Sequence, residues 1–367
     1  MKKLYVLTLL MVYAAVSQAQ VTITQANMPH AGDTARLTRA QNITNYQATG
    51  PNYVWNFANL RAQSQTLENY LDVAQTNQVY SLYYSNTPFN PNRSNVAAAS
   101  KSQILTNPLI NLQNPYDFFY RNANVYKQTG LGAEIAAIPA PIPYTLHDTI
   151  YRLPVNYPNI DSSNARWNIN IPGTFTYGTN QKRLNNVDGW GVLTTPYATY
   201  NVLRVKTILS GRDTVYVNQF NFGFGFTRPI TTQYKWLTDS AEIVPVLQVN
   251  TTTFFGFEIV TDIFFRDLYI TARPVNVDTV YCSGGTYSID YIKEGTYNNG
   301  GFGGANQFRV QLSDANGSFA NPVQIGSVTS IQSGSINVTI PANTPAGNGY
   351  RVRIVSTNLA MTDPDNG

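Results

Sequence analysis

The sequence predicts an all-β protein: a β-rich, sandwich-like N-terminal domain at residues 20–273, then a second β-sandwich module at residues 274–367. Three observations carry that prediction. The chain has 25 glycines and 20 prolines in 367 residues, spread so that few stretches sustain a helical period. Aromatic residues make up 13%, with 25 tyrosines, and aromatic and β-branched side chains suit a pleated, half-buried strand. Short segments alternate apolar and polar residues with a period of two, as a strand with one face in a core requires.

Lys2 and Lys3, an apolar run over residues 4–16 and then "SQA" read as a cleaved secretory leader, residues 1–19, with the cut ahead of Gln20. That run is too short to span a bilayer, and no later stretch reaches the roughly 18 apolar residues of a membrane helix. The expected location is therefore extracellular or at the cell surface. "NYVWNF", "DTIYRL", "YNVLRVKTIL", "DTVYV", "QYKWL" and "IVPVLQV" read as short strands. In "NVLRVKT", Leu203 and Val205 mark the core face, and Arg204 and Lys206 the solvent face. "GWGVLTTPYATYNVLRV" predicts a hairpin with Pro196 in its connection. "IAAIPAPIPY" reads as a stiff connector or an edge, since proline cannot donate a full ladder. "LENYLDVAQT" is equally compatible with strand and helix.

A boundary falls at residues 271–279. Beyond it Phe308, Val310 and Leu312, then Ile336, Val338 and Ile340, then Tyr350, Val352 and Ile354 alternate with polar residues between tight turns, the pattern of a β-sandwich. "DANGSF" holds Asp314 alone, short of the carboxylates of a calcium loop. Its Asn316-Gly317 pair predicts a hairpin turn.

Residues 278–367, through "DTVYCSGGTYSIDY", "NQFRVQLSDANGSFANPVQIGSV" and "SGSINVTIPANTPAGNGYRVRIVSTN", resemble the immunoglobulin-like (Ig-like) modules of secreted Bacteroidota proteins. "AGDTARL", "TGPNYVWNF", "GLGAEI", "PAPIPY", "DGWGVLTTPYATYNVLRVKT" and "YKWL…VPVLQV" resemble an uncharacterised exported family of the same bacteria. The resemblance implies cargo of the type IX secretion system and brings no catalytic residues with it. The sequence ends at "TDPDNG", where the resemblance places the module's last strand. An open sheet edge and a strand-donating partner are expected there.

Chemistry-bearing patterns are sparse. Charged residues are 12% of the chain, about half the usual share of about 25%, and no basic run supports nucleic-acid binding. His30 and His147 have no His or Cys companion at ligand spacing, so neither metal nor cofactor is expected. The lone Cys282 excludes an intrachain disulfide and is expected to be buried. Glu258 and Asp262, like Glu68 and Asp72, lie on one face of a strand but roughly 13 Å apart. Glycosidase carboxyl pairs stand about 5–9.5 Å apart, so no catalytic pair is assigned and the chain is not read as an enzyme. Of Trp55, Trp167, Trp190 and Trp236, Trp190 in "DGWG" is the candidate glycan contact, because its flanking glycines could leave the ring open. Trp55 and Trp236 fit core positions best.

The resemblance also implies O-glycosylation at Asp-Ser/Thr followed by an apolar residue, alanine or threonine. That pattern occurs at Thr34, Thr149, Thr214, Ser240 and Thr279, against about one occurrence expected from average composition. The structural alternative is strand entry, with Asp closing a turn and Thr opening a ladder. Three of the five sites continue as D-T-[IV]-Y. Together these readings predict a secreted or cell-surface structural or adhesive protein, with polysaccharide, matrix or neighbouring surface proteins as partners. A glycan-binding module and a glycan-active hydrolase are the alternatives.

Overall fold

The computed structural model describes residues 20–100, 112–135, 137–171, 173–241, 243, 245–300, 304–362 and 365–366. The expected leader at 1–19 lies outside them. The chain is all-β, with 59% of residues in strands. The first strands are β1 (Thr34–Gln41), β2 (Tyr53–Asn56), β3 (Arg61–Leu71), β4 (Val96–Ala99) and β5 (Leu112–Asn122). Next come β6 (Val125–Ile135), β7 (Ile138–Arg152), β8 (Ile160–Ile171), β9 (Phe175–Thr194) and β10 (Thr199–Val217). β11 (Phe222–Thr227), β12 (Thr231–Leu237), β13 (Leu247–Phe254) and β14 (Phe257–Arg266) complete the first sheet.

That sheet closes on itself. Hydrogen-bonded neighbours run from β10 through β12, β13, β14, β1, β3, β4, β5, β6, β7, β8 and β9, and β9 pairs back onto β10. The sandwich-like expectation for the N-terminal part is corrected to a twelve-stranded barrel. Its closure is the long β9–β10 hairpin, paired from Thr194↔Thr199 to Phe175↔Val217, with Pro196 in the turn as predicted. Closing the ring removes edges that would otherwise recruit other strands. Two strands are appended: β2 lies parallel to the end of β9, and β11, among the described residues, pairs only with the end of β10.

The prolines of "PAPIPY" sit inside β7, where that strand pairs with β6 alone. Gly132↔Pro141 and Gly130↔Pro143 are in register there, and pairing with β8 starts at Tyr144. The missing amides therefore face no ladder. "LENYL" belongs to β3, and the short helix α1 (Gln78–Tyr83) follows, its N-terminus capped by the Asn77 side chain. Tyr84 and Tyr80 pack against β6 where a Cβ on Gly130 or Gly132 would strike their rings. That explains the glycines of "GLGAEI".

Residues 42–60 fold over the outside of the barrel. Trp55, Phe57 and Leu60 join Tyr234, Trp236, Leu247, Val249 and Phe265 in a core cluster on the outer face of β12–β14. Arg204, predicted to face solvent, points outward but is only 1% exposed. Its guanidinium donates to the carbonyls of Tyr46 and Ala48 and to Asp188, so the covering loop is held by charge-assisted hydrogen bonds. A Cβ on Gly189 would meet Thr49, and one on Gly191 the Tyr53 backbone. The glycines around Trp190 therefore admit the chain's own backbone.

The second sheet comprises β15 (Thr271–Val275), β16 (Thr286–Glu294), β17 (Gln307–Leu312), β18 (Val323–Thr329), β19 (Gly334–Thr339), β20 (Val352–Thr357) and β21 (Ala360–Thr362). Its order is β15-β16-β19-β18-β17-β20-β21. It curls until β15 approaches β20, a nearly closed sheet. Between β18 and β19 the only register pair is Gly326↔Val338. The link at Asp314–Gly317 is a turn, closed by Asp314 accepting from the amides of Asn316 and Ser318. Gly317 alone takes a positive φ there, and the connection spans residues 313–322. Cys282, expected to be buried, is exposed in the approach to β16. No helix among the described residues is long and apolar enough to cross a membrane.

Candidate functional site

Twelve strands enclose more space than side chains alone fill. A cavity of about 360 Å³ opens among residues of β5, β6, β7, β8, β9, β10 and β12. Those strands are consecutive around the ring, so the cavity lies inside it. Alternation along each strand decides what reaches the lumen. On β9, Thr179, Gln181, Arg183 and Asn185 share one face; on β10 their register partners are Asp213, Gly211, Leu209 and Thr207. On β7, Asp148 points in while its neighbour His147 points out.

The centre of the lumen is an ion pair. Arg183 Nε donates to Asp148 Oδ1 at 2.9 Å and Nη2 donates to Oδ2 at 2.7 Å, a bidentate fork between buried side chains. Ser163 and Gln181 donate to the same carboxylate at 3.2 Å. Burial alone would raise the Asp148 pKa, but the charge and hydrogen bonds of Arg183 outweigh it and hold the carboxyl below its ordinary value. A second pair stands beside it. Thr179 Oγ1 donates to Asp213 at 2.6 Å, Arg228 Nη2 donates to Thr179 at 3.0 Å, and Arg228 Nε lies 3.3 Å from Asp213. A Cβ on Gly211 would strike the Arg228 guanidinium, so that glycine makes room for the charge.

Further around the wall, Gln128 and Ser100 donate to Asp117 at 3.0 and 2.7 Å. Tyr144 stacks on Trp167, ring centroids 6.3 Å apart, and Trp167 abuts Tyr177. Burial first, then the nearby carboxylates of Asp117 and Asp148, raise the Tyr144 pKa well above its ordinary value. Its phenol is a neutral donor and acceptor. Lys235 of β12, 4% exposed, holds its Nζ over the Tyr151 ring, 5.0 Å from the centroid. Burial, then the Arg183 charge, pushes its pKa well below the ordinary lysine value.

Three larger clefts lie elsewhere: two of about 590 and 680 Å³, and a third of about 480 Å³ bordered by the exposed Arg166, Asn180 and Lys182. The first borders Leu60, Tyr197 and residues 293–300, and its lysine, Lys293, is turned back onto the Gly295 carbonyl. The second runs between loops of the second sheet over apolar residues such as Ile289, Ile325 and Ile340. None of the three gathers buried charges, and the smaller lumen is the candidate site for that reason. No group of three or more metal-ligating side chains occurs among the described residues.

The residues singled out from sequence fall elsewhere. Trp190 is half-buried against the apolar cluster of Val187, Leu203 and Val205. Trp55 and Trp236 are fully buried outside the ring, as their strand positions predict. Glu258 accepts from Gln47 and Tyr234, and Asp262 pairs with Arg39. His30 pairs with Asp33, and His147 contacts Lys127. Among the threonines and serine, Thr34, Thr214, Ser240 and Thr279 are exposed and Thr149 is half-buried. Thr34 opens β1, as strand entry demands, but Thr149 and Thr214 lie deep in β7 and β10.

The repeated tetrapeptide held a different signal. In "DTIY" (148–151) and "DTVY" (213–216), the residues that converge are the aspartates, both turned into the lumen while the threonines face away. An acid in phase with Ile150 or Val215 on an alternating strand marks a buried carboxylate that needs a partner. That phase was readable; its partners, Arg183 and Arg228, were not. Comparison with protein-family models, curated proteins and solved structures returns no match to this chain.

Proposed function

We propose that this chain is an exported binding protein whose barrel lumen holds a small, neutral, polyhydroxylated ligand of the saccharide class. The observation that carries the reading is the pairing of the Arg183–Asp148 fork with the Tyr144–Trp167 stack in one cavity. Carboxylate, guanidinium and the amides of Gln128, Gln181 and Gln233 offer donors and acceptors to vicinal hydroxyls. An aromatic face packs on the apolar face of a pyranose ring. Cations and anions of the wall already face each other, which disfavours a strongly charged ligand. The cavity volume sits at the small end of ligand pockets, about 300–1,000 Å³.

Hydrolysis is not proposed. Asp117 and Asp148 border the same cavity, but Arg183 holds Asp148 ionised, which deprives it of the proton a general acid must give. The surface reading, with display to matrix or neighbouring cells and glycans on Thr34, Thr149, Thr214, Ser240 or Thr279, stands beside the lumen reading. It is supported by the exposure of four of those side chains. Intact mass of the natively exported protein equal to the bare polypeptide would remove the glycans. The link of one register pair between β18 and β19 supports reading the second sheet as an Ig-like sandwich of two facing halves.

Titration calorimetry of the full chain against a panel of neutral mono- and disaccharides tests the lumen. The expected result is binding that weakens at least about tenfold in Gln181→Leu, which removes one amide from the cavity wall. A panel without binding, or binding indifferent to Gln181→Leu and to Gln233→Leu, overturns the reading.

A further inference from the structure

β11 is the one strand of the first sheet whose sequence and position both invite a second strand. It borders the sheet and, among the described residues, pairs only with β10. Pairing between β10 and β12 ends at Leu209↔Thr231. Beyond that point β11 takes the place of β12 beside β10, and its outer edge is bordered by no strand among the described residues. Arg228 donates its amide to the Gly211 carbonyl, which sets the phase of the ladder. Phe222, Phe224 and Phe226 turn their backbone groups toward β10, and Gly223 and Gly225 turn theirs to the open edge.

The side chains follow the same alternation. Phe222, Phe224 and Phe226 stand on one face, 57%, 49% and 45% exposed, with successive ring centroids 6.0 and 6.3 Å apart. On the other face the glycines lie under Tyr216 and Arg212, whose side chains a Cβ would strike at 2.9 Å. A flat, uncharged edge strand bearing an exposed aromatic ladder is a template for strand addition.

The sequence of the strand names its partner. Phe-Gly-Phe-Gly-Phe reads the same in both directions. Two copies related by a two-fold axis through Phe224 place Phe opposite Phe and Gly opposite Gly. In that register Gly223 of one copy and Gly225 of the other exchange both backbone hydrogen bonds. The two Phe224 side chains meet in the closer, non-hydrogen-bonded pair. The long contact from Arg212 Nη2 to the Gly225 carbonyl, 3.3 Å and exposed, gives way to the stronger backbone bond. The axis also carries Phe220 of each copy toward the β13–β14 tip of the other, where Phe254, Phe255 and Phe257 are exposed. A two-fold contact of this kind closes after two copies.

We propose that β11 is a homodimerisation edge, joining two copies of this chain by antiparallel strand addition about Phe224. The proposal is independent of what the lumen binds. Sedimentation of the full chain over a range of concentrations tests it with Phe224→Lys and Phe224→Glu, both at an exposed position. Wild type is expected to dimerise. Each variant is expected to weaken self-association at least about 100-fold, since like charges then face each other. An equal mixture of the two variants is expected to restore the dimer as a mixed pair. A wild-type chain that stays monomeric overturns the proposal, as does a Phe224→Lys variant that still dimerises. A mixture that remains monomeric overturns the pairing about Phe224. Slow exchange of the Gly223 and Gly225 amides in the monomer overturns it as well, by showing an edge already covered.

Discussion

The barrel lumen and the core of the second sheet are built from the same kind of strand and end in opposite chemistry. In the second sheet the inward positions of β16, β17, β19 and β20 are Ile289 and Tyr291, Phe308, Val310 and Leu312, Ile336 and Val338, Val352 and Ile354. Its buried polar residues, Asn298, Asn306, Ser313 and Ser356, sit at strand ends or in a connection and bond to backbone or neighbouring amides. In the barrel the equivalent inward positions of β7, β9, β10 and β12 include Asp148, Arg183, Asn185, Thr207, Asp213 and Lys235. Period two decides only which residues point inward. Spacing decides the rest. The nearly closed seven-stranded sheet is narrow enough for its inward side chains to meet and fill it, whereas a twelve-stranded ring leaves a chamber that polar side chains can line without losing hydration altogether.

The largest expected effects come from breaking each centre in turn. Phe308→Ala in the second sheet removes a fully buried ring in contact with Tyr291 and Tyr297 and is expected to cost about 3–5 kcal/mol. Arg183→Met leaves Asp148 buried without its countercharge and is expected to cost a similar 3–5 kcal/mol. The comparison separates them at the second step. Adding Asp148→Leu to Arg183→Met is expected to recover most of the loss, because a buried ion pair can be replaced by apolar residues of like volume. No second substitution of that kind restores a missing Phe308. Denaturant midpoints of the three variants measure both halves. If the double variant stays as unstable as Arg183→Met, the pair is part of the barrel's structural core.

Lys235 sharpens the same contrast with a smaller effect and the opposite sign. Its pKa is depressed in the folded chain, so between that value and the ordinary 10.5 the unfolded state binds a proton that the native state does not. Stability rises with pH across that window, and at neutral pH the lysine is a net cost. Lys235→Met is expected to raise stability by about 1–2 kcal/mol at pH 7, with a higher melting temperature. A melting temperature that falls would mean that the amine has a favourable partner in the wall.

Much of the fold was legible in the sequence, because alternation is local. The strands around Leu203, Trp236 and Phe308, the β9–β10 turn at Pro196 and the buried state of Trp55 and Trp236 follow from period, turn chemistry and residue type. Ring closure was not legible. It depends on β9 pairing with β8 along one edge and with β10 along the other, and on β14 finding β1 across more than two hundred residues. Arg204 failed for a related reason: its outward phase was correct, but the loop that buries it, residues 46–48, is remote in sequence. The lumen was half-legible. The inward phase of Asp148 and Asp213 is local, but their convergence with Arg183 and Arg228 is a property of the closed ring. The Trp190 reading took glycine for openness where it serves a close backbone approach.

The smallest expected effect compares two neighbours on β7, Asp148 inside the ring and His147 outside it. His147 is half-buried with Lys127 Nζ 3.1 Å from its Nδ1. Burial first, and then the Lys127 charge, lowers its pKa from 6.5 to about 4. Between those values the unfolded chain takes up a proton that the native chain refuses. Stability therefore rises with pH through this window and falls on acidification from 6.5 towards 4. Asp148 acts in a lower window. Its pKa lies below the unfolded 3.8, so its contribution persists above that value and is lost only as pH drops through the folded pKa. Asp161 and Asp188, raised first by burial, oppose both trends just above 3.8. The informative measurement is therefore the difference between wild type and His147→Gln in denaturant midpoint at pH 7, 6, 5 and 4. The variant is expected to lose on the order of 1–2 kcal/mol of the acid sensitivity, discounted for the partial exposure of the ring. A difference that stays constant across the series would show that His147 does not carry the acid sensitivity.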